Sequence, residues 1–242
     1  MDGTDPTSSS ASSSRPLREY YLALGSEPSS LDTLCELIIA LAPDDRLTTI
    51  ETSSLTSVSV VVCVSARDLL DEVVTGISAV RCSKHNLRIN LWSLHSDMLE
   101  REVTTYANEF REVARSRMTS GQREEEHRED GADEDTEPGV RVPPPFIVNV
   151  LVTTDSPLKA LSKLNSDPLA PTLLIHYSLP RRREEYARRK SVVLGSRKSS
   201  NSSRVAVCFV HAGRIDELHE FEAMADRKLL EMPVHVSEMF SQ

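Results

Sequence analysis

The chain has 242 residues, of which 39% are hydrophobic, 27% charged and 5% aromatic, and its formal net charge is -9. This length favours one domain with tails or inserts over two domains, because a typical domain contains about 100–200 residues. Its eight glycines are about half the usual share, which argues against the glycine-rich loops that hold phosphates and dinucleotides. No apolar run approaches the roughly 18 residues of a membrane helix, and the polar N-terminus does not have the pattern of a secretory signal. We therefore expect an intracellular protein without a membrane partner.

The order of apolar patterns along the chain predicts the fold class. Residues 1–16 are polar and serine-rich and are predicted to form a disordered tail. Apolar residues at helical spacing predict helices over 30–42, 66–79, 96–115, 184–190 and 215–230. Runs of apolar and β-branched residues predict strands over 55–64, 87–94, 146–153, 172–177 and 204–210, before a short tail over 233–240. Strands alternating with helices predict an α/β domain whose mainly parallel sheet is covered on both faces.

A strongly acidic segment interrupts this pattern. Residues 123–137 contain nine acids and two arginines, a local charge of -7, and glycines and prolines lie close by. A segment of this composition buries little apolar surface, so 117–145 is predicted to be a disordered insert. The folded domain is expected to cover 17–242 around it.

The four cysteines form no C-x-x-C pair and no cluster with histidine; they are Cys35, Cys63, Cys82 and Cys208. Cys63 and Cys208 lie inside apolar runs, where cysteine behaves as a small hydrophobic side chain. We therefore expect reduced thiols in the interior, with no disulfide and no bound metal.

Six short segments, taken in chain order, carry a family resemblance. They read LDTLCEL at 31–37, HSDM at 95–98, VLVTTD at 150–155, IHYSLP at 175–180, EEY at 184–186 and EMP at 231–233. Together they resemble the C-terminal RecA-like domain of the DEAD-box RNA helicases, and they are most similar to initiation factor 4A. The resemblance covers 18–242 apart from the acidic insert, and it implies a single three-layer RecA-like domain.

The departures from this family lie in the residues that handle ATP. The sequence contains no G-x-x-x-x-G-K-[ST] loop and no D-E-A-D segment, which belong to the family's N-terminal RecA-like domain. The motif V arginine falls on Lys159, and the motif V aspartate is lost. Motif VI aligns with 188–195, where only Arg189 stays in register and the arginine-finger position falls on Gly195. The resemblance therefore implies no ATP hydrolysis, no cofactor and no ATP binding by this chain alone.

A second charged segment is basic. Between 181 and 204 the chain carries nine cations and two acids, a local charge of +7. Three interpretations stay open: contact with RNA phosphates, a solvated surface, or contact with a protein or with the acidic insert. Thr154 and Asp155 match RNA-contacting residues of the family, although a strand end and a helix cap explain them equally well. The candidate RNA-binding residues are Thr154, Asp155, Lys159, Arg181, Arg182, Arg183, Arg188, Arg189 and Lys190.

Two histidines and two aromatic residues have simple structural explanations. No nucleophile or G-x-S-x-G motif accompanies His95 or His176, so we expect structural roles for both rather than roles as bases. Trp92 and Tyr177 are expected in the core rather than as stacking platforms for bases.

These observations lead to one main hypothesis and two alternatives. The main hypothesis is a catalytically inactive, helicase-like interaction module in RNA metabolism or translation. It would be a monomer in the cytoplasm, with the nucleus as the alternative compartment. Its partners would be proteins of the helicase or translation machinery, with RNA left open as a further ligand. The first alternative is a half-domain that completes or regulates an RNA helicase in trans, and the second is direct binding of single-stranded RNA.

Overall fold

The computed structural model of the chain describes residues 17–26, 28–42, 57–80, 87–116, 145–195 and 204–240. The predicted tail over 1–16 and almost all of the predicted acidic insert lie outside these ranges. The strands are β1 (Arg18–Leu24), β2 (Ser57–Cys63), β3 (Leu87–Leu94), β4 (Phe146–Thr153), β5 (Leu173–His176), β6 (Val205–His211) and β7 (Leu230–Glu231). The α-helices are α1 (Ser29–Ala40), α2 (Arg67–Ala79), α3 (Glu100–Ser116), α4 (Asp155–Lys163), α5 (Arg183–Arg189) and α6 (Ile215–Ala225). A π-helical turn (Lys190–Leu194) follows α5, and a 3-10 turn (Val236–Met239) follows β7.

The seven strands form one parallel sheet in the order β3-β4-β2-β5-β6-β1-β7. This confirms the predicted α/β domain with a parallel sheet. Helices α1 and α2 pack on one face, and the other four helices pack on the opposite face. Right-handed crossovers explain this division, because connections that run in opposite directions along the sheet place their helices on opposite faces.

The central strands are buried on both faces, which is why their sequences are almost continuously apolar. In β2, Val60 and Val62 face the core beneath α1 and α2, whereas Val61 and Cys63 face the core beneath α3 and α4. All four side chains are almost completely buried. A parallel strand covered by helices on both sides shows this pattern rather than an alternation of apolar and polar residues.

The helices pack through stripes of apolar residues at helical spacing. In α3 the buried side chains include Val103, Ala107 and Phe110, and the Phe110 ring lies edge-on to Trp92, with 5.8 Å between the ring centroids. Trp92 is partly buried against this core and Tyr177 is buried, in agreement with the sequence analysis. No helix within the described ranges is long and apolar enough to cross a bilayer.

Three elements differ from the sequence analysis, which predicted neither β1 nor α4 and extended α6 to residue 230. The strand β1 contains a charged residue, Glu19, in a buried position. Helix α4 contains Pro157, which is tolerated in a first turn because the amide groups there have no partner within the helix. Helix α6 ends at Ala225 because Asp226 adopts a left-handed conformation, with φ of 55°. Residue 230 therefore belongs to an edge strand and not to the helix.

A buried leucine of α4 and an exposed leucine just beyond it test the packing of this helix. Leu161 is completely buried, whereas Leu164, just beyond the helix, is 45% exposed. We expect Leu161→Ala to lower the free energy of unfolding by about 2–5 kcal/mol because it leaves a cavity. Leu164→Ala should cost less than about 1 kcal/mol. Urea unfolding followed by circular dichroism measures both, and equal losses would contradict this packing of α4.

Candidate functional site

The carboxyl ends of three neighbouring strands bring several candidate residues together. Strand β2 ends at Cys63, β4 at Thr153 and β5 at His176, and these three residues lie side by side in the sheet. Asp155 follows β4 directly as the first residue of α4, and Arg189 reaches the same edge from α5. In open α/β sheets, functional residues commonly gather where the carboxyl ends of strands meet.

A two-pronged ion pair between Arg189 and Asp155 is the centre of this edge. The Arg189 Nε donates to Asp155 Oδ1 at 2.8 Å, and Nη2 donates to Oδ2 at 2.6 Å. The third nitrogen, Nη1, donates to the Ser178 carbonyl at 2.7 Å. Arg189 is only 1% exposed. Burial is the largest single effect and lowers the pKa of Arg189, but the hydrogen bonds to Asp155 and the negative charges nearby together outweigh it and leave that pKa above its ordinary value. The guanidinium of Arg189 is therefore a buried, charged group held by charge-assisted hydrogen bonds.

His176 lies against this pair and is held in one form. Its Nδ1 is 3.3 Å from Arg189 Nη1, and because arginine only donates, Nδ1 accepts and the proton of the neutral ring is on Nε2. Burial, together with the charge of Arg189, lowers the pKa of His176 well below its ordinary value. The ring is completely buried beside Tyr186 and Phe221. Its basic nitrogen is therefore covered, which agrees with the expected structural role.

A second buried charge was not expected from the sequence. Glu19 on β1 is 4% exposed, and Tyr186 donates its hydroxyl to both carboxylate oxygens, at 3.0 and 3.1 Å. Burial raises the pKa of Glu19, and the hydrogen bond from Tyr186 and the charge of Arg227, whose Nε is 3.3 Å away, oppose this. Lys190 lies over the Tyr186 ring, 4.9 Å from its centroid. The sequence signal that could have indicated this buried charge was a single acid among the apolar and aromatic residues of β1.

The structure divides the candidate RNA-binding residues into buried and accessible groups. Thr154 and Arg189 are buried, and Asp155 is engaged with Arg189. The accessible or half-buried ones are Lys159, Arg181, Arg182, Arg183, Arg188 and Lys190. Contact of any of these residues with RNA stays a prediction.

The accessible arginines cluster at the start of α5. Arg181 is anchored through its backbone amide, which donates to the Glu185 carboxylate at 2.9 Å. Arg183 reaches α6, where its Nη2 donates to the Ala223 carbonyl at 3.3 Å. The side chain of Arg182 is exposed between them. The three consecutive arginines 181–183, which we call the arginine triplet, therefore form a compact cationic surface on the α5–α6 side.

Polar pairs at the same sheet edge were also missed by the sequence analysis. Ser30 Oγ on α1 lies 2.8 Å from His211 Nε2 at the end of β6. Arg67 on α2 contacts both Asp71 and Asp97, at 3.0 and 3.2 Å. No group of three or more histidine, cysteine or acidic side chains in the described segments is arranged to hold a metal ion.

Removing Asp155 tests whether the buried pair stabilises the fold. We expect Asp155→Ala to lower the free energy of unfolding by about 3 kcal/mol or more, because it leaves the Arg189 charge buried without its partner. The matched control is Asp71→Ala, which breaks the exposed pair with Arg67 and should cost less than about 1 kcal/mol. Chemical denaturation of both variants measures the difference, and similar small losses would show that Arg189 does not depend on Asp155.

The depressed pKa of His176 predicts a loss of stability in acid. As the pH falls below the ordinary value of 6.5, the unfolded chain takes up a proton that the folded chain does not bind. The stability that neutral His176 contributes is therefore fully present above this pH and lost below it. Between pH 6.5 and 5.5 the wild type should lose on the order of 1 kcal/mol more than His176→Asn.

Unfolding by urea at several pH values measures this difference. His235→Asn, at an exposed histidine near the C-terminus, is the control for general effects of a lost imidazole. An identical pH dependence in the wild type and in His176→Asn would contradict the buried neutral ring.

Comparison with known proteins adds information on the fold. No protein-family model and no curated protein matches the sequence. The C-terminal domain of the DEAD-box protein Dbp5 is 17% identical, with 92% of this chain and 93% of that chain covered and a TM-score of 0.52. E. coli SrmB, a DEAD-box protein solved with regulator of ribonuclease activity A, is 15% identical, with coverages of 93% and 95% and a TM-score of 0.52.

A longer structure shows how much of a helicase this fold represents. S. cerevisiae Dbp5 bound to RNA and ADP BeF3 is 14% identical, with a TM-score of 0.55 over 93% of this chain. The match covers 46% of that Dbp5 chain, so the two share about half of the longer protein. The chain has the fold of the C-terminal RecA-like domain of the DEAD-box helicases.

Proposed function

We propose that this chain is a catalytically inactive, helicase-like interaction module that binds protein partners in RNA metabolism or translation. The observation that carries the proposal is the burial of Arg189, the motif VI arginine that is still in register. Its three guanidinium nitrogens are engaged by Asp155, Ser178 and His176. A side chain held and buried in this way supports the fold and is not presented to a transferring phosphoryl group.

The backbone at Gly195 supports the same conclusion. Gly195 has φ of 72°, and a Cβ atom added there would lie 2.8 Å from the Pro168 Cγ. A side chain at this position would therefore be strained and would collide with Pro168. An arginine finger contributes about 10³–10⁵ to the rate of phosphoryl transfer. Gly195, which corresponds to the arginine finger by sequence, has a backbone conformation and close surroundings that favour glycine.

The relatives of known structure indicate which ligand classes suit this fold. The SrmB structure contains a protein partner, and the Dbp5 structure contains RNA and ADP BeF3. For this chain we favour a protein partner with an acidic surface, because the arginine triplet is exposed and is anchored to α5 through the Arg181 amide and to α6 through the Arg183 side chain. Cationic side chains on a rigid surface steer acidic partners and fix their orientation. Single-stranded RNA is the alternative ligand.

Co-purification tests the protein partner directly. The tagged full chain is isolated from an extract of its own cells, with and without RNase, as the wild type and with the arginine triplet changed to glutamate. A matched control changes Arg88, Arg101 and Arg214, three exposed arginines elsewhere on the chain, to glutamate. We expect proteins of the helicase or translation machinery to stay bound after RNase, to be lost from the triplet variant and to stay with the control. Loss of all partners after RNase would contradict a protein-bound role.

Activity measurements separate this proposal from the half-domain alternative. The purified chain should release no phosphate from ATP, either alone or with single-stranded RNA. Addition of the chain to a separate N-terminal helicase domain should leave the ATPase rate of that domain unchanged. Stimulation of that rate by the folded wild-type chain would instead favour a half-domain that works in trans.

A further inference from the structure

A buried arginine on α3 lacks partners for most of its donors. Arg111 is 4% exposed, and its Nη1 donates to the Asn108 Oδ1 at 2.5 Å. Its Nε and Nη2 are buried and have no hydrogen-bond partner among the residues that the structure describes. Helix α3 starts after the carboxyl end of β3 and runs toward the opposite edge of the sheet, and Arg111 lies in its second half. This arginine is therefore remote from the Asp155–Arg189 pair.

An unpaired guanidinium in the interior is an unusual feature. Arginine keeps its charge in proteins, and a buried charge without hydrogen-bond acceptors is strongly unfavourable. Burial lowers the pKa of Arg111; the Asp167 carboxylate opposes this shift, and the charge of Arg115 adds to it. Nε and Nη2 lie on one side of the planar guanidinium, and their spacing matches the two oxygens of a carboxylate or a phosphate group.

A weak surface ion pair lies next to Arg111. Arg115, one helical turn further along α3, donates from Nη2 to Asp167 Oδ2 at 3.1 Å. Their side chains are 61% and 73% exposed, respectively. Ion pairs this exposed contribute little to stability, so an anion can displace Asp167 from Arg115 at low cost. Asp167 belongs to the loop after α4, which brings it across to α3.

We propose that Arg111 and Arg115 form a binding site for a compact oxyanion, a phosphate or carboxylate group, between α3 and the loop that follows α4. The anion accepts from Nε and Nη2 of Arg111 and replaces Asp167 beside Arg115. Asp167 is then a competitor of the ligand and not a part of its binding site. This site is separate from the arginine triplet and does not depend on the function proposed above.

Thermal unfolding of the full chain measures binding, because a ligand of the folded state raises the melting temperature. The chain is titrated with inorganic phosphate or with acetate, and chloride keeps the ionic strength constant. We expect at least one of the two anions to stabilise the wild type more than chloride does. A response to phosphate assigns a phosphate ligand, and a response to acetate alone assigns a carboxylate. Arg111→Gln should weaken the apparent affinity on the order of tenfold or more, because it removes charge-assisted hydrogen bonds.

Two further variants keep the proposal falsifiable if Arg111→Gln does not fold. Asp167→Asn should strengthen the response, because it removes the competing carboxylate, and Arg115→Gln should weaken it. Arg101→Gln, at an exposed arginine of the same helix, should respond as the wild type does. The proposal is overturned if neither anion stabilises the wild type beyond chloride, if Arg111→Gln responds like the wild type, or if Asp167→Asn weakens binding.

Discussion

The ion pair between Arg189 and Asp155 is the constraint on which the carboxyl edge of this domain depends. Desolvating a guanidinium is costly, and the interior tolerates it where acceptors meet most of its five N–H donors. Asp155 supplies two of them from α4, the Ser178 carbonyl supplies one after β5, and His176 Nδ1 supplies another. Arg189 of α5 thus joins the segment that follows β4 to the segment that follows β5. The neutral state and the tautomer of His176 follow from the same arrangement.

A second buried charge stabilises the middle of α5. Tyr186 lies one turn before Arg189, and its hydroxyl reaches Glu19 on β1. The short helix is therefore fixed by the buried Arg189 and by the hydrogen bond from Tyr186 to a buried acid, while the arginine triplet at its start is exposed. This arrangement makes α5 a rigid support for a cationic surface. It is the structural basis of the proposed interaction role.

The sequence allowed accurate prediction where a local pattern decides the structure. Strands β3 and β4 have the predicted bounds, because their apolar residues start and end clearly. Cys63 and Cys208 are buried thiols, as expected, and burial raises the pKa of Cys63 to about 12. The missed elements depend on distant partners: β1 is stabilised by neighbours on both sides, and Glu19 is paired across 167 positions. The local charge count showed only that Arg189 belongs to a basic segment. No local pattern indicates that its partner is Asp155, 34 residues earlier.

The central claim is that Arg189 now stabilises the fold through Asp155, and a double-mutant cycle tests it most directly. The free energies of unfolding are measured for the wild type, Asp155→Ala, Arg189→Met and the double variant. We expect a coupling on the order of 1–3 kcal/mol, because either single change leaves the other charge without its partner in the interior. The double variant should therefore lose less stability than the two single losses added together. Strictly additive losses would contradict the claim and would leave Arg189 without a structural function.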